Sequence, residues 1–251
     1  MNKKKGQVSF FIILGVVIVA FIGLYLFLSG KIYLGKSIPL DIQPVHSFVS
    51  MCLEQSTREA VIAIGFGGGY YPRSAQATSS GVVYFFNDEN NIPSKKMIEE
   101  SLSLYIQEFM PFCIDDFADF KDINVSADAM KVTTQISEDS VVVHANYPLS
   151  VVKGKSVYTL ENFESSLHVR LDTIMAVSEK IVKEHVRANA VCIDCLGRFS
   201  DEYGIVIAFD DYEEDTTIYT ILDEYSLNET YAFIFAIKSS EVTNEKNIFG
   251  D

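Results

Sequence analysis

The four cysteines are the residues in this sequence best suited to chemistry, and two of them form a C-x-x-C motif. Cys192 and Cys195 lie in the stretch VCIDCLG. In thiol-redox enzymes this spacing places the first thiol at the N-terminus of a helix, where the helix dipole lowers its pKa. Here the motif follows a predicted helix, and a loop and a strand are expected after it. We therefore predict a local structural disulfide or a turn with two thiols, with redox chemistry as the alternative.

The other two cysteines lie on the apolar faces of two predicted helices. Cys52 continues the i, i+3, i+4, i+7 pattern that starts at Val45, and Cys113 falls fifteen residues after Ile98 on the stripe of the second helix. If these faces meet, the two sulfurs come within bonding distance. We predict a Cys52–Cys113 disulfide, which would close a long loop and stabilise the domain by about 4 kcal/mol. Two buried free thiols are the alternative.

A glycine-rich stretch, IGFGGGYYP, is the next candidate because glycine lets a backbone approach a ligand closely. Its glycines are Gly65, Gly67, Gly68 and Gly69. A phosphate-binding loop ends in Gly-Lys-Ser/Thr and precedes a helix, whereas this stretch lacks that ending and follows a predicted helix. We predict a helix C-cap and a turn. An interaction loop that binds the backbone of a ligand or subunit is the alternative.

The acidic stretch FDDYEEDTT, from Phe209 to Thr217, offers the oxygen ligands that calcium prefers. Its spacing matches no EF-hand loop, so we predict a solvated hairpin loop, with calcium binding as the alternative. A zinc site at the C-x-x-C motif would need two further ligands, and only His185 lies near it in the sequence. We therefore predict no metal site and no cofactor.

The histidines give no indication of catalysis. The chain has four of them, and it contains neither a G-x-S-x-G elbow nor an H-E-x-x-H motif. His144 alternates with apolar strand residues and is expected on a solvated face, while His46 and His185 lie near predicted helix ends. No histidine has a local partner that would orient it as a general base. We predict no catalytic residue and expect that the protein is not an enzyme.

The elements that must position these residues change type along the chain. Apolar residues at helical spacing predict helices near 44–64, 94–111 and 172–188. Alternating or wholly apolar runs predict hairpins at Glu138-Asp139 and at Gly154, and strands at 81–88, 204–209, 216–222 and 231–237. The predicted fold class is α+β, in which a mostly antiparallel sheet carries packed amphipathic helices.

An apolar run, Val8 to Leu28, precedes these elements and has 21 residues without a charge. A helix of that length crosses the ~30 Å hydrocarbon core of a bilayer. A secretory signal has a shorter apolar region followed by an A-x-A-like cleavage site, which this run lacks. We therefore predict a single transmembrane helix in the cell membrane, with the lipid bilayer as its partner. Three lysines before the run predict a cytoplasmic N-terminus and an extracytoplasmic domain.

The chain then divides into five predicted segments. They are a basic leader (1–7), the transmembrane or assembly helix (8–28), a linker (29–43), an extracytoplasmic α+β domain (44–240) and a flexible tail (241–251). Two N-x-S/T sequons in the domain predict glycosylation at Asn124 and Asn228. The net charge is −14, and every acidic residue lies at or after Asp41, so we predict no binding to nucleic acid.

The N-terminal sequence KKKGQVSFFIILGVVIVAFIGLYLFL resembles the class III signal sequences of archaeal type IV pilin-like proteins. The resemblance implies cleavage between Gly6 and Gln7, and a retained apolar helix that packs with its copies in the core of a filament. Many members carry a Glu a few residues into the helix, where this chain has Ser9, Phe10 and Phe11. An uncleaved signal anchor is the alternative. The chain as a whole also resembles single-anchor archaeal surface proteins with this type of N-terminus, which implies no activity.

Three functions follow as expectations. The first is a membrane-anchored cell-surface structural protein, and its most specific form is a pilin-like filament subunit, hence a homo-oligomer. The second is a monomeric surface binding module or envelope accessory protein on an uncleaved anchor. The third is an anchored thiol-redox protein that uses Cys192 and Cys195.

Overall fold

The computed structural model describes residues 38–239 except Ala75, Glu214 and Asn228, together with Gly15, Val17 and Ile18. The chain divides into two units, Met1–Leu40 and Asp41–Asp251. The cleavage position at Gly6 and Gln7, most of the apolar run at 8–28 and the tail at 241–251 lie outside the described residues. Within the described ranges, no helix is both long enough and apolar enough to cross a membrane.

The second unit contains four α-helices and nine strands among its described residues. The helices are α1 (Gln43–Phe66), α2 (Lys95–Ile114), α3 (Leu171–Ala188) and α4 (Ile193–Tyr203). The strands are β1 (Tyr84–Asn87), β2 (Glu89–Asn90), β3 (Asn124–Ala127), β4 (Lys131–Ile136), β5 (Ser140–Lys153), β6 (Ser156–His168), β7 (Val206–Glu213), β8 (Thr216–Asp223) and β9 (Tyr231–Lys238). The predicted α+β class, with mostly antiparallel sheets and packed helices, is confirmed for this unit.

The first sheet has five strands in the order β2-β1-β9-β8-β7. Neighbouring strands pair antiparallel except β1 and β9, which run parallel. Strands β8 and β9 occupy inner positions, and their large side chains Tyr219, Phe233 and Phe235 are buried. One face of these two strands is buried and the other is half-buried, which is consistent with their apolar character on both faces.

The second sheet is built around the long strand β5. Strand β6 pairs along the length of β5 on one side, while β3 and β4 pair with successive parts of its other side. The β4–β5 hairpin turns through Glu138 and Asp139, where the Ser137 N–H donates to the Ser140 carbonyl at 2.8 Å. The β5–β6 hairpin turns at Gly154, which has a φ of 62°. Both hairpins are the predicted ones.

Helix α1 connects the two sheets because it packs against β6 of one, β9 of the other and helix α2. A disulfide joins Cys52 on α1 to Cys113 on α2, with 5.6 Å between their Cα atoms. This is the pairing that the apolar faces of the two helices predicted. Cys52 is fully buried in the contact between the helices.

Two predictions about helices are wrong. Helix α2 does not end at Pro111 but continues to Ile114. Pro111 lacks the N–H that would bond to the preceding turn, yet the last turn is held by the buried side chains of Met110 and Ile114 and by the disulfide at Cys113. Helix α4 occupies the segment where a loop and a strand were expected after the C-x-x-C motif.

One buried ion pair connects both sheets with the two C-terminal helices. Arg170, at the N-terminus of α3, forms a bidentate hydrogen-bonded pair with Asp223 at the end of β8. The Arg170 guanidinium also donates to the carbonyls of Tyr203 and Gly204, at 3.0 and 3.2 Å, where α4 ends. Ser226 donates to Asp223 and accepts from the Arg170 backbone N–H. Burial alone would raise the pKa of Asp223, but the hydrogen bonds from Arg170 and Ser226 outweigh it and lower the pKa.

Replacing Asp223 with Asn should lower the free energy of unfolding by about 3–5 kcal/mol, because it leaves the Arg170 charge without a counterion in a part-buried site. Equilibrium unfolding in urea measures the loss. Glu229→Gln is the matched control, since Glu229 pairs with Arg58 at 2.8 Å but its side chain is 57% exposed. This control should cost less than about 1 kcal/mol. Equal losses in the two variants would contradict a central role for the Arg170–Asp223 pair.

Candidate functional site

The C-x-x-C motif opens helix α4. Cys192 is the N-cap residue, Cys195 lies in the first turn, and a disulfide joins them with 5.2 Å between their Cα atoms. Cys192 is half-buried, whereas Cys195 is only 7% exposed. The expectation that the motif does not begin a helix is therefore wrong. A C-x-x-C motif that opens a helix is the arrangement found in thiol-redox enzymes.

The local sequence explains how the motif comes to open a helix. Helix α3 ends at Asn189, which adopts a left-handed conformation with a φ of 47° and reverses the chain. The first helical hydrogen bond of α4 runs from the Leu196 N–H to the Cys192 carbonyl at 3.0 Å. Leu196 and Phe199 are buried on the inner face of α4 and anchor it to the domain. The backbone N–H groups of the first turn have no acceptor inside the helix, so this end carries a partial positive charge.

A cavity of about 480 Å³ lies beside the motif, and we call it the motif cavity. The two residues that flank Cys192, Val191 and Ile193, form part of its wall. The rest of its lining comes from α3, β7, the β7–β8 connection and the ends of β8 and β9: His185, Ala190, Phe209, Asp211, Glu213, Asp215, Thr216, Thr217 and Ser239. The neighbours of Cys192 and the acidic stretch, which are separated in the sequence, therefore line one cavity.

His185 is buried in the wall of the motif cavity, with 2% of its surface exposed. Its Nδ1 lies 2.7 Å from the Tyr219 hydroxyl, and its Nε2 lies 3.0 Å from the Ser239 hydroxyl. Burial lowers the pKa of His185, although the charge of Asp211 acts in the opposite direction. The ring is therefore held neutral, with one nitrogen donating and the other accepting.

The contact between Ser239 and His185 has the spacing of a nucleophile and its base, but its surroundings differ from an activated serine. Burial raises the pKa of Tyr219, so a neutral hydroxyl stands where a carboxylate would orient the imidazole. The Ser239 backbone N–H donates to the Asp215 carbonyl at 2.6 Å, so it is not free to stabilise an oxyanion. The cluster fixes the end of β9 against α3.

No local motif in the sequence indicates these partners of His185. Tyr219 and Ser239 lie 34 and 54 residues after it in the chain. Residues that are so far apart form no local motif. The order of the strands in the sheet brings the three side chains together. His144, in contrast, lies on a solvated face as predicted, 3.3 Å from Glu164 on the neighbouring strand.

The buried state of His185 predicts a pH-dependent stability. In the unfolded chain histidine takes up a proton near pH 6.5, but folded His185 stays neutral to lower pH because its pKa is lowered. The unfolded chain then binds the extra proton, so stability should fall by up to about 1.4 kcal/mol per pH unit as the pH drops below 6.5 towards the lower folded pKa.

Urea unfolding of the wild type and of His185→Gln at several values between pH 7.5 and 5 measures this effect. The variant should lose less stability over that interval, whatever its stability at pH 7.5. Burial also lowers the pKa of His46, but His46 is present in both proteins and cancels in the comparison. Parallel pH profiles would show that His185 is not the titrating group.

The acidic stretch does not form the predicted hairpin loop. Asp210, Asp211 and Glu213 belong to strand β7, and Asp215 in the turn pairs with Lys238 at 3.2 Å. Within the part of the chain that the structure describes, no group of three or more histidine, cysteine or acidic side chains is placed to hold a metal ion.

The four glycines of IGFGGGYYP are buried, and the C-cap and turn predicted there are confirmed. Gly67 caps α1, and Gly68 and Gly69 have positive φ values of 57° and 87°. A Cβ on Gly65 would overlap the Ala232 carbonyl oxygen on β9, and a Cβ on Gly68 would lie 3.2 Å from the Ile234 carbonyl oxygen. The space beside Gly65 and Gly68 is thus filled by the backbone of β9.

Gly65→Ala should destabilise the domain by about 1–3 kcal/mol, because the new methyl group must displace the backbone of β9. Gly197→Ala is the matched control on helix α4, where a Cβ would meet nothing within 4 Å. This control should be stabilising by up to about 1 kcal/mol, since alanine favours a helix over glycine. Thermal and urea unfolding compare them, and a neutral Gly65→Ala would contradict the close approach of α1 to β9.

Of the two predicted glycosylation sites, Asn124 is exposed at the start of β3, and Asn228 lies outside the described residues. No protein-family model, curated protein or solved structure matches this chain. The site residues must therefore be interpreted from their own chemistry. In the described ranges, the C-x-x-C pair places two cysteines at a helix N-terminus, and the neighbours of Cys192 line the motif cavity.

Proposed function

We propose that the protein is a membrane-anchored cell-surface protein. In this proposal, residues 8–28 form a single membrane-spanning anchor with a cytoplasmic N-terminus, and the α+β domain lies outside the cytoplasm. The anchor part of the proposal rests on the sequence: an uncharged apolar run long enough to cross the bilayer, preceded by Lys3, Lys4 and Lys5.

The single observation that supports the extracytoplasmic location is the state of the cysteines. The chain has four cysteines, and all four are joined in disulfides. Disulfides form and persist in oxidising compartments and are rare in the cytosol. The Cys52–Cys113 bond joins two helices that pack against each other, so it is part of the packed domain.

Two forms of this proposal differ at the N-terminus. If a peptidase cuts between Gly6 and Gln7, the retained helix can assemble with its copies, and the protein is a pilin-like filament subunit. If the leader stays, the protein is a monomeric binding or accessory module on a signal anchor. The acidic charge of the domain suits an exposed surface role in both forms.

Protease treatment of intact cells tests the location. A protease that does not cross the membrane should degrade the α+β domain on intact cells and leave the anchor in the membrane fraction. A cytoplasmic protein in the same sample should survive until the cells are lysed. The location would be wrong if the domain survived on intact cells and was degraded only after lysis.

Mass spectrometry of the N-terminus of the native protein decides between the two forms. A first residue of Gln7 is the expected result for a filament subunit, and an intact Met1 is expected for an uncleaved anchor. Replacing Gly6 with a bulky residue gives a matched control, since it should block cleavage at this bond and leave the domain folded.

A further inference from the structure

We propose that Cys192 and Cys195 form a redox-active pair that accepts electrons from the dithiol of an external polypeptide, with Cys192 as the sulfur that is attacked. This activity goes beyond an anchor or filament role and does not depend on one. It rests on the exposure of the two cysteines, the helix end that carries them and the surface around them.

The two cysteines differ in access to solvent. Cys192 is half-buried, whereas Cys195 is 7% exposed. An external thiolate must approach along the S–S axis, so the more accessible Cys192 takes the attack and Cys195 becomes the leaving group.

The helix ends give the two disulfides of the chain opposite electrostatic surroundings. Cys192 is the N-cap residue of α4, where the free backbone N–H groups favour a thiolate. The exposed carboxylate of Asp194 in the same turn opposes this effect through solvent. Cys113 is half-buried like Cys192, but it lies in the last turn of α2, where the dipole disfavours a thiolate. Its partner Cys52 is fully buried. The Cys52–Cys113 bond is thus the internal comparison for the Cys192–Cys195 bond.

The surface around Cys192 fits an extended polypeptide. Ile193, between the two cysteines, is 68% exposed, and Phe209 across the motif cavity is also exposed. Strand β7, which contributes Phe209, is an edge of its sheet, and among the strands that the structure describes it pairs only with β8. An extended segment can pair with the free backbone of such an edge while its apolar side chains contact the exposed residues.

The proposed exchange of disulfides takes place in two steps. A thiolate of the external polypeptide attacks the Cys192 sulfur and forms a new S–S bond, and the Cys192–Cys195 bond breaks. Cys195 leaves with the electron pair and takes up a proton. The second external thiol then attacks its neighbour in the mixed disulfide, closes an external disulfide and expels Cys192 as a thiolate. Two electrons pass from the external dithiol to the pair, and the second thiol proton goes to solvent or to Cys192.

Single-cysteine variants of the pair test the assigned roles. Cys195→Ser leaves a free thiol on Cys192, and Cys192→Ser leaves one on Cys195. With a chromogenic aromatic disulfide at pH 7, the first variant should react at least about tenfold faster than the second. The rate for Cys195→Ser should rise with pH through a midpoint below about 8.5, the pKa of a free cysteine. Cys113→Ser, which frees the buried Cys52, is the matched slow control.

A measurement on the full, unsubstituted chain covers the case in which a variant misfolds. The protein is treated with increasing dithiothreitol or with a reduced polypeptide dithiol, alkylated, and analysed by mass spectrometry. Cys192 and Cys195 should be reduced at concentrations that leave Cys52–Cys113 intact, and the polypeptide should gain one disulfide for each pair reduced.

Three results would overturn the proposal. One is a Cys192–Cys195 bond that opens only together with Cys52–Cys113. Another is equal reactivity of the two single-cysteine variants, or a pH midpoint at or above that of free cysteine. The third is reduction by dithiothreitol with no oxidation of the polypeptide, which would restrict the pair to small thiols.

Discussion

The buried pair of Arg170 and Asp223 is the interaction on which the C-terminal half of the domain depends. It stands where β6 passes into α3 and where β8 ends, so it connects the two sheets. The same guanidinium holds the last carbonyls of α4. With the C-terminal end of α4 fixed there and the short turn after α3 fixed by Asn189, the N-terminus of α4 must lie at the wall of the motif cavity. The ion pair at one end of α4, together with buried Leu196 and Phe199, thus helps to position Cys192 at the other end.

The two disulfides of the domain differ in the length of chain that each one closes. Cys52–Cys113 closes a separation of 61 residues and joins two helices that already pack together. In the chain-entropy view, a link of that length restricts the unfolded chain strongly. Cys192–Cys195 closes a separation of three residues, so it adds less to stability by the same reasoning. The reactivity that we propose for this short bond does not depend on a large contribution to stability.

The sequence predicts the helices that have a long hydrophobic periodicity and the hairpins whose turn residues are adjacent in the chain. Helices α1 and α3 and the hairpins at Glu138-Asp139 and Gly154 follow from periodicity and turn residues. Helix α4 was missed because it is short and Gly197 interrupts it, and α2 passes Pro111 because tertiary contacts hold its last turn. The partners of His185, the parallel pairing of β1 with β9 and the glycine contact with β9 are all long-range, so no window of the sequence contains them.

The central claim is that one extracytoplasmic domain carries one permanent disulfide and one that exchanges. Acid quenching of living cells, followed by differential alkylation of the four cysteines, tests it most directly. We expect Cys52 and Cys113 to be fully oxidised, and Cys192 and Cys195 to be recovered as a mixture of disulfide and thiols. Recovery of Cys52 and Cys113 as free thiols would contradict the extracytoplasmic location. Recovery of Cys192 and Cys195 only as a disulfide, even after the cells are exposed to a reductant, would contradict the exchange.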